Sequence, residues 1–218
     1  MDRHDDAFNH LKAQKLVTKN IRPENQDRIW SIYYAAHVDY EIKQGPEVAE
    51  AMQYILDNLE PRESGFIEIG SAYGGSFACW ASIISGPAIS IDLPGITGEP
   101  GLDKTRIDLR NNLWFEQFPG RPLAINGDSH RVETFDALNS RMGSRRVDFL
   151  FIDGDHSYVG TKQDFEVYSQ FIRPGGLVGF HDIRTTPAGD FFRELALTKW
   201  ESPADSGDSG LGIVRMPE

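Results

Sequence analysis

Phe66-Ile67-Glu68-Ile69-Gly70-Ser71-Ala72-Tyr73-Gly74-Gly75-Ser76 is a short β-prone run that breaks into a glycine-rich turn, and residues 77–84 after it carry helix-like apolar spacing. A strand that turns through glycines into a helix brings backbone amides close to whatever lies at its tip. The same grammar repeats downstream. Ala88-Ile89-Ser90-Ile91 reads as a second strand ending in Asp92, Leu123-Ala124-Ile125 as a third ending in Gly127-Asp128-Ser129, and Leu177-Val178-Gly179-Phe180 as a fifth ending in His181-Asp182. Between the last two, Val147-Asp148-Phe149-Leu150-Phe151-Ile152 is a nearly continuous apolar run, the pattern of a parallel strand buried on both faces, and it ends in Asp153-Gly154-Asp155-His156-Ser157. Helical patterns fall at residues 103–118 with Asp103 as N-cap, at 131–142, and at 158–171, the last stopped by Pro174-Gly175-Gly176.

Strands and helices in strict alternation specify an α/β fold, a doubly wound, mostly parallel sheet with right-handed crossovers, and ligands then bind at the carboxyl ends of the strands. Upstream, residues 1–60 read as a helical N-terminal extension, amphipathic over 46–59 and aromatic at Trp30, Tyr33, Tyr34, His37 and Tyr40. Residues 61–218 form the α/β domain. Beyond Trp200 the chain is acidic and rich in Gly and Ser, and strand character returns only at residues 211–216, which are expected at the sheet edge.

The chain has 218 residues, with 22 Lys+Arg against 33 Asp+Glu for a formal charge of −11. That balance, with no basic stripe beyond Arg145-Arg146, argues against nucleic acid and anionic membrane surfaces as partners. No apolar stretch approaches the ~20 residues that span a bilayer, and the N-terminus has no basic start leading into an apolar run. Cys79 is the single cysteine, which excludes an internal disulfide and fits a cytoplasmic protein. With no basic neighbour to stabilise a thiolate, it reads as a small core hydrophobe.

The strand tips carry the functional signal. Against the dinucleotide fingerprint G-x-G-x-x-G the first turn offers Gly70, Ala72 and Gly75, so the glycine that a pyrophosphate needs is missing. A phosphate-free cofactor tolerates Ala72, and Glu68 at the tip suits a cationic ligand. Asp92 lies 22 residues past Gly70, where an acid commonly binds the two hydroxyls of a ribose. Asp128 and Ser129 add a third polar tip. Each alone also reads as an ordinary turn or helix cap; together they outline a slot of adenosine shape. Asp153, His181 and Asp182 stand on adjacent strands, and two carboxylates with an imidazole make a divalent-cation site, oxygen ligands suiting Mg²⁺ and the imidazole admitting Mn²⁺, Fe²⁺ or Zn²⁺. Capping explains the same residues without a metal.

Glu68-Ile69-Gly70 with Gly74, Asp92, Gly127-Asp128-Ser129 and Pro174-Gly175-Gly176, in this order over roughly residues 65–183, resemble the class I S-adenosylmethionine-dependent methyltransferases. The resemblance implies that Glu68, Gly70, Ser71, Gly74 and Ser76 hold the methionine part of the cofactor, Asp92 the ribose, and Asp128 with Ser129 the adenine, with Asp153 beside them. Ala72 departs from the pattern, since many members have glycine there. The second layer resembles the metal-dependent O-methyltransferases that act on catechols and macrolide sugars, and their relatives labelled cephalosporin hydroxylases. It implies Mg²⁺ on Asp153 and on the His181-Asp182 pair, and a general base at His156, three residues past the first acid. His181 stands where several relatives carry a carboxylate, which leaves open whether it binds metal directly.

The expectation is therefore a Mg²⁺-assisted methyltransferase acting on the hydroxyl of a small molecule. Alternatives are a metal-independent methyltransferase of the same fold, a nucleoside binder without catalysis, and an iron hydroxylase, which needs a two-His, one-carboxylate triad. His156 is otherwise a plain loop histidine. The aromatics at residues 30–40 serve core packing, contact between subunits of a homo-oligomer, or closure over a substrate. Residues 94–104 read as a lid or a surface loop.

Overall fold

The computed structural model describes residues 20–40, 42, 44–59, 65–93, 122–203 and 208–218. The expected helix at 103–118 and the candidate lid at 94–104 lie outside the described residues. Within them the elements run α1 (Pro23–Tyr40), α2 (Glu47–Asn58), β1 (Phe66–Ile69), α3 (Gly75–Ala81), β2 (Ala88–Asp92), β3 (Leu123–Asn126), α4 (Val132–Met142), β4 (Val147–Ile152), α5 (Tyr158–Tyr168), β5 (Ile172–His181), α6 (Ala188–Glu194), β6 (Thr198–Glu201) and β7 (Leu211–Arg215).

The described strands form one seven-stranded sheet in the order β3-β2-β1-β4-β5-β7-β6. The first five pair in parallel; β7 is antiparallel to β5 and β6 antiparallel to β7. The chain therefore returns to β1 at the sheet centre and steps outward on each side, so the tips of β1, β2, β3, β4 and β5 share one edge.

The strands are apolar on both faces because helices cover both. Side chains alternate along a strand, and β4 shows the division. Phe149 and Phe151 join the layer built with Ile29, Tyr33, Val48, Met52, Phe77 and Trp80 from α1, α2 and α3. Leu150 and Ile152 join the opposite layer with Leu138, Tyr168, Phe191 and Phe192 from the other helices and the segments beside them. Trp80 is completely buried and packs edge-on against Phe149 and Phe151 at 5.3 and 5.1 Å between ring centres, fixing α3 over the sheet. Cys79 is buried in the same layer, and burial pushes its thiol pKa up, as befits a core residue. Tyr33 is buried there too, edge-on to Trp30, so this part of the aromatic stretch packs the core.

Three expectations need correction. Residues 211–216 do not take the sheet edge that their late position in the chain suggests: β7 lies inside the sheet, with β6 outermost. Pro174-Gly175-Gly176 does not precede the fifth strand but lies within it, since β5 starts at Ile172 and its register against β4 shifts between Val147 and Phe149. That irregularity absorbs a proline that has no amide to give. The helix at 158–171 ends at Tyr168 and tightens into a 3₁₀ turn over Ser169–Phe171.

Candidate functional site

The tips of β1 to β4 enclose a cleft of about 490 Å³, within the range of ordinary small-molecule sites. Gly70, Ala72 and Tyr73 line it from the first turn, Asp92 and Leu93 from β2, Asp128, Ser129 and His130 from β3, and Asp153 to His156 from β4. Of the residues expected at a cofactor, Gly70, Asp92, Asp128, Ser129 and Asp153 face this space. Glu68, Ser71, Gly74 and Ser76 do not line it.

Those four build the turn from behind. Ser71 and Ser90 hydroxyls share a hydrogen bond of 2.7 Å, and the Ser76 hydroxyl donates to Glu68 Oε1 at 2.7 Å. Glu68 is completely buried and its Oε2 has no hydrogen-bond partner among the described residues. Burial raises its carboxyl pKa to about 8 against the pull of the serine hydroxyls, so at neutral pH it is mostly the neutral acid. Glu68 thus stands behind the turn rather than on the wall of the cleft. Gly74 caps α3 at a φ of +88°.

Ala72 stands at a φ of +45°, in the left-handed region that glycine enters more cheaply. Its amide donates to Asp92 Oδ2 at 2.7 Å, and Leu93 donates to Asp92 Oδ1 at 2.7 Å. At the third tip Asp128 Oδ1 accepts from the His130 amide at 2.9 Å, and the Ser129 carbonyl accepts from Tyr168 at 2.8 Å. His130 Nε2 lies 3.4 Å from Asp164, a carboxylate with no solvent exposure whose pKa burial pushes up. Neither His130 nor Asp164 stood out in the sequence, although His130 directly follows Asp128-Ser129.

Next to the cleft the second cluster assembles as expected. Asp153, His181 and Asp182 place donor atoms within 4.8 Å of one another. His181 Nδ1 is 3.2 Å from Asp153 Oδ1 and 3.3 Å from Asp182 Oδ1. His156 joins them, with Nδ1 3.4 Å from Asp182 Oδ2 and Nε2 3.9 Å from Asp153 Oδ1. Its side chain is 39% exposed, against 8% for His181, so His156 meets the cleft while His181 lies deeper. Asp182 is another non-glycine residue at positive φ, +55°, and such strain clusters at functional sites. Asp155 is committed elsewhere: it accepts from the Ser157 amide at 2.8 Å, which holds its pKa down, and Ser157 in turn caps α5.

Two members of this cluster have no local signal in the sequence. Glu47, the first residue of α2, is 1% exposed and places Oε1 3.1 Å from His181 Nε2. Gln44 donates its amide to Asp153 Oδ2. Burial works against a charged His181, but Asp153 above all, with Asp182 and Glu47, overcomes it and raises the pKa to about 12. Three carboxylates thus surround one imidazole. The surplus of negative charge, the buried Glu47 Oε2 without a hydrogen-bond partner and the mixed oxygen and nitrogen donors all fit a divalent cation.

A sheet in which β7, antiparallel to its neighbours, is inserted between β5 and β6 while the other described strands run in one direction, with a glycine turn and acidic tips on one edge, is the Rossmann-like methyltransferase fold. The chain belongs to the methyltransferase-domain family, whose model matches residues 67–183. It spans 16% and 58% of the lengths of two curated relatives; the second, the uncharacterized protein R132 of Acanthamoeba polyphaga mimivirus, is 30% identical over 137 residues, 60% of this chain. Among solved structures it resembles a putative caffeoyl-CoA O-methyltransferase from Staphylococcus aureus, with a TM-score of 0.61 and 20% identity, covering 88% of this chain and 95% of that one. It also resembles the MycE methyltransferase of the mycinamycin biosynthetic pathway, in complex with Mg, S-adenosylhomocysteine and mycinamycin VI, at a TM-score of 0.51 and 16% identity over 84% of this chain and 53% of that one. Among the described residues no helix is long and apolar enough to cross a membrane.

Proposed function

We propose that this protein transfers the methyl group of S-adenosylmethionine to a hydroxyl oxygen of a small molecule, assisted by a divalent cation on Asp153, His181 and Asp182. The observation that carries the reading is the double membership of Asp153, which both lines the cleft and belongs to the carboxylate–imidazole cluster. A cofactor in the cleft and a cation in the cluster would then be neighbours. The Mg-bound structure of MycE lends support by analogy of fold.

In this reading the turn at Gly70, Ala72 and Tyr73 receives the methionine part, Asp92 the ribose hydroxyls, and Asp128 with Ser129 the adenine. Asp153, His181 and Asp182 would hold the cation, which when bound would lower the pKa of the acceptor hydroxyl, while the cofactor would supply an electrophilic methyl on its sulfonium. His156 takes the proton. His156 Nδ1 lies 3.4 Å from Asp182 Oδ2 and Nε2 3.9 Å from Asp153 Oδ1, so either carboxylate would stabilise the imidazolium formed when it takes the proton. In-line placement of the acceptor oxygen against the methyl would supply much of the rate.

One observation favours a second reading, a metal-independent methyltransferase: His181 Nδ1 lies 3.2 Å from Asp153 Oδ1 and 3.3 Å from Asp182 Oδ1, where an imidazolium would offset part of the cluster's charge without a cation. Turnover of methyl-labelled S-adenosylmethionine against a panel of hydroxylated acceptors decides between them. Loss of activity in EDTA and recovery with Mg²⁺ or Mn²⁺ supports the cation; full activity in EDTA supports the second reading. Selective rescue by Fe²⁺ with oxygen uptake points to hydroxylation instead.

A further inference from the structure

His181 is held at both ends of its ring, and the two ends are not equivalent. Nε2 points at Glu47 Oε1 at 3.1 Å, while Nδ1 points at Asp153 Oδ1 and Asp182 Oδ1 at 3.2 and 3.3 Å. Glu47 Oε1 also accepts from the Gly45 amide at 2.9 Å, which fixes the carboxylate as an acceptor facing the ring. It sits in the first turn of α2, where a negative charge is stabilised by the helix. A cation bound at Nδ1 would take the place of the proton there, while Nε2 stays against Glu47, so Nδ1, at the centre of the cluster, is the nitrogen left for a metal. Gln44, three residues earlier, donates to Asp153 Oδ2 from the same side, so the segment leading into α2 supports two of the candidate ligands from behind. A histidine that donates its outer nitrogen to a carboxylate and offers its inner one to a metal is a recurrent way of fixing tautomer and strengthening the donor.

We propose that Glu47 is the positioning residue that locks His181 as an Nδ1 ligand, and that the resulting two-carboxylate, one-imidazole set selects a first-row transition cation such as Mn²⁺ over Mg²⁺. The inference rests on the cation reading above and deepens it. Mg²⁺ is a hard ion that favours all-oxygen sites, whereas an imidazole nitrogen suits Mn²⁺, Fe²⁺, Co²⁺ and Zn²⁺. Glu47 touches neither the cleft nor the reacting atoms, so its effect runs through His181.

The test is Mn²⁺ binding to the EDTA-treated full-length protein, followed by the loss of the free-ion electron paramagnetic resonance signal and by displacement with Mg²⁺. The parent is expected to prefer Mn²⁺ by at least about tenfold. Glu47→Ala should weaken Mn²⁺ by about 10- to 100-fold, with Glu47→Gln in between because its amide oxygen still accepts. His181→Asp, an all-oxygen triad, should collapse the preference toward parity while both ions still bind. In ¹⁵N-labelled parent protein loaded with diamagnetic Zn²⁺, the His181 ring should show a protonated Nε2. Calorimetric binding of S-adenosylhomocysteine checks that each variant is folded. Equal affinity of the parent for the two ions, or unchanged affinity and selectivity in Glu47→Ala, overturns this inference and leaves the cation reading standing. Binding of neither ion to a parent that still takes S-adenosylhomocysteine removes the cation reading itself, and this inference with it.

Discussion

Gly70 and Asp153 meet backbone against backbone: a methyl group at Gly70 would lie 2.2 Å from the Asp153 carbonyl oxygen. The contact follows from the register of β1 beside β4, whose last pair is Ile69 with Ile152. It sets the glycine turn directly against the acid shared by the cleft and the carboxylate–imidazole cluster. Gly70 also sits at a φ of +84°, where a side chain is strained whatever the space around it. Gly70→Ala should therefore cost about 2–4 kcal/mol of stability, since neither backbone can yield. Denaturant unfolding measures this; a loss under ~0.5 kcal/mol would mean that the two tips are not in contact.

Glu68 makes stability depend on pH. Its carboxyl pKa of about 8 in the folded chain lies above the ordinary 4.5, so the folded state binds more protons between these values. The contribution is fully present below pH 4.5 and is lost as pH rises through 8. Glu68→Gln keeps an acceptor for the Ser76 hydroxyl but cannot ionise. Urea unfolding at pH 6 and pH 9 should show the variant gaining on the parent at the higher pH, by an amount on the order of 1–3 kcal/mol. Parallel pH profiles for the two proteins would mean that Glu68 is not buried.

His156 is expected to carry the proton. His156→Ala should lower kcat by about 10²- to 10⁴-fold and leave affinity for S-adenosylhomocysteine nearly unchanged. His156→Gln should do the same, because it keeps bulk and polarity but takes up no proton. Parental kcat in either variant would make His156 an ordinary loop residue and send the search for a base elsewhere.

The parallel part of the sheet was legible because each strand is an apolar run that ends abruptly in glycine or an acid, and the tips it named converge on one edge. What was not legible depended on distance along the chain. Glu47 lies 134 residues from His181 and Gln44 lies 109 from Asp153, so neither pairing leaves a local pattern. The outermost strand, β6, reads Thr198-Lys199-Trp200-Glu201, too polar to signal a strand by alternation alone. Its charged residues are what an edge strand uses to avoid pairing with other chains. The inclusion of Pro174-Gly175-Gly176 within β5 escaped for another reason: these residues break most strands, and only the register irregularity against β4 accommodates them. Glu68 was visible at its strand tip, but its burial, and hence its neutral form, belongs to the packed structure.

The measurement that bears most directly on the account is calorimetric titration of the protein with S-adenosylhomocysteine, beside the Asp92→Ala variant. Asp92 organises the cleft twice, by accepting the Ala72 amide and by facing the space assigned to a ribose. The account predicts saturable binding by the parent with one site per chain, and a loss of roughly 30- to 150-fold in affinity in the folded variant, the equivalent of about 2–3 kcal/mol for hydrogen bonds to an ionised carboxylate. No binding by the parent, or the same affinity in a folded Asp92→Ala protein, would contradict the assignment of this cleft to S-adenosylmethionine.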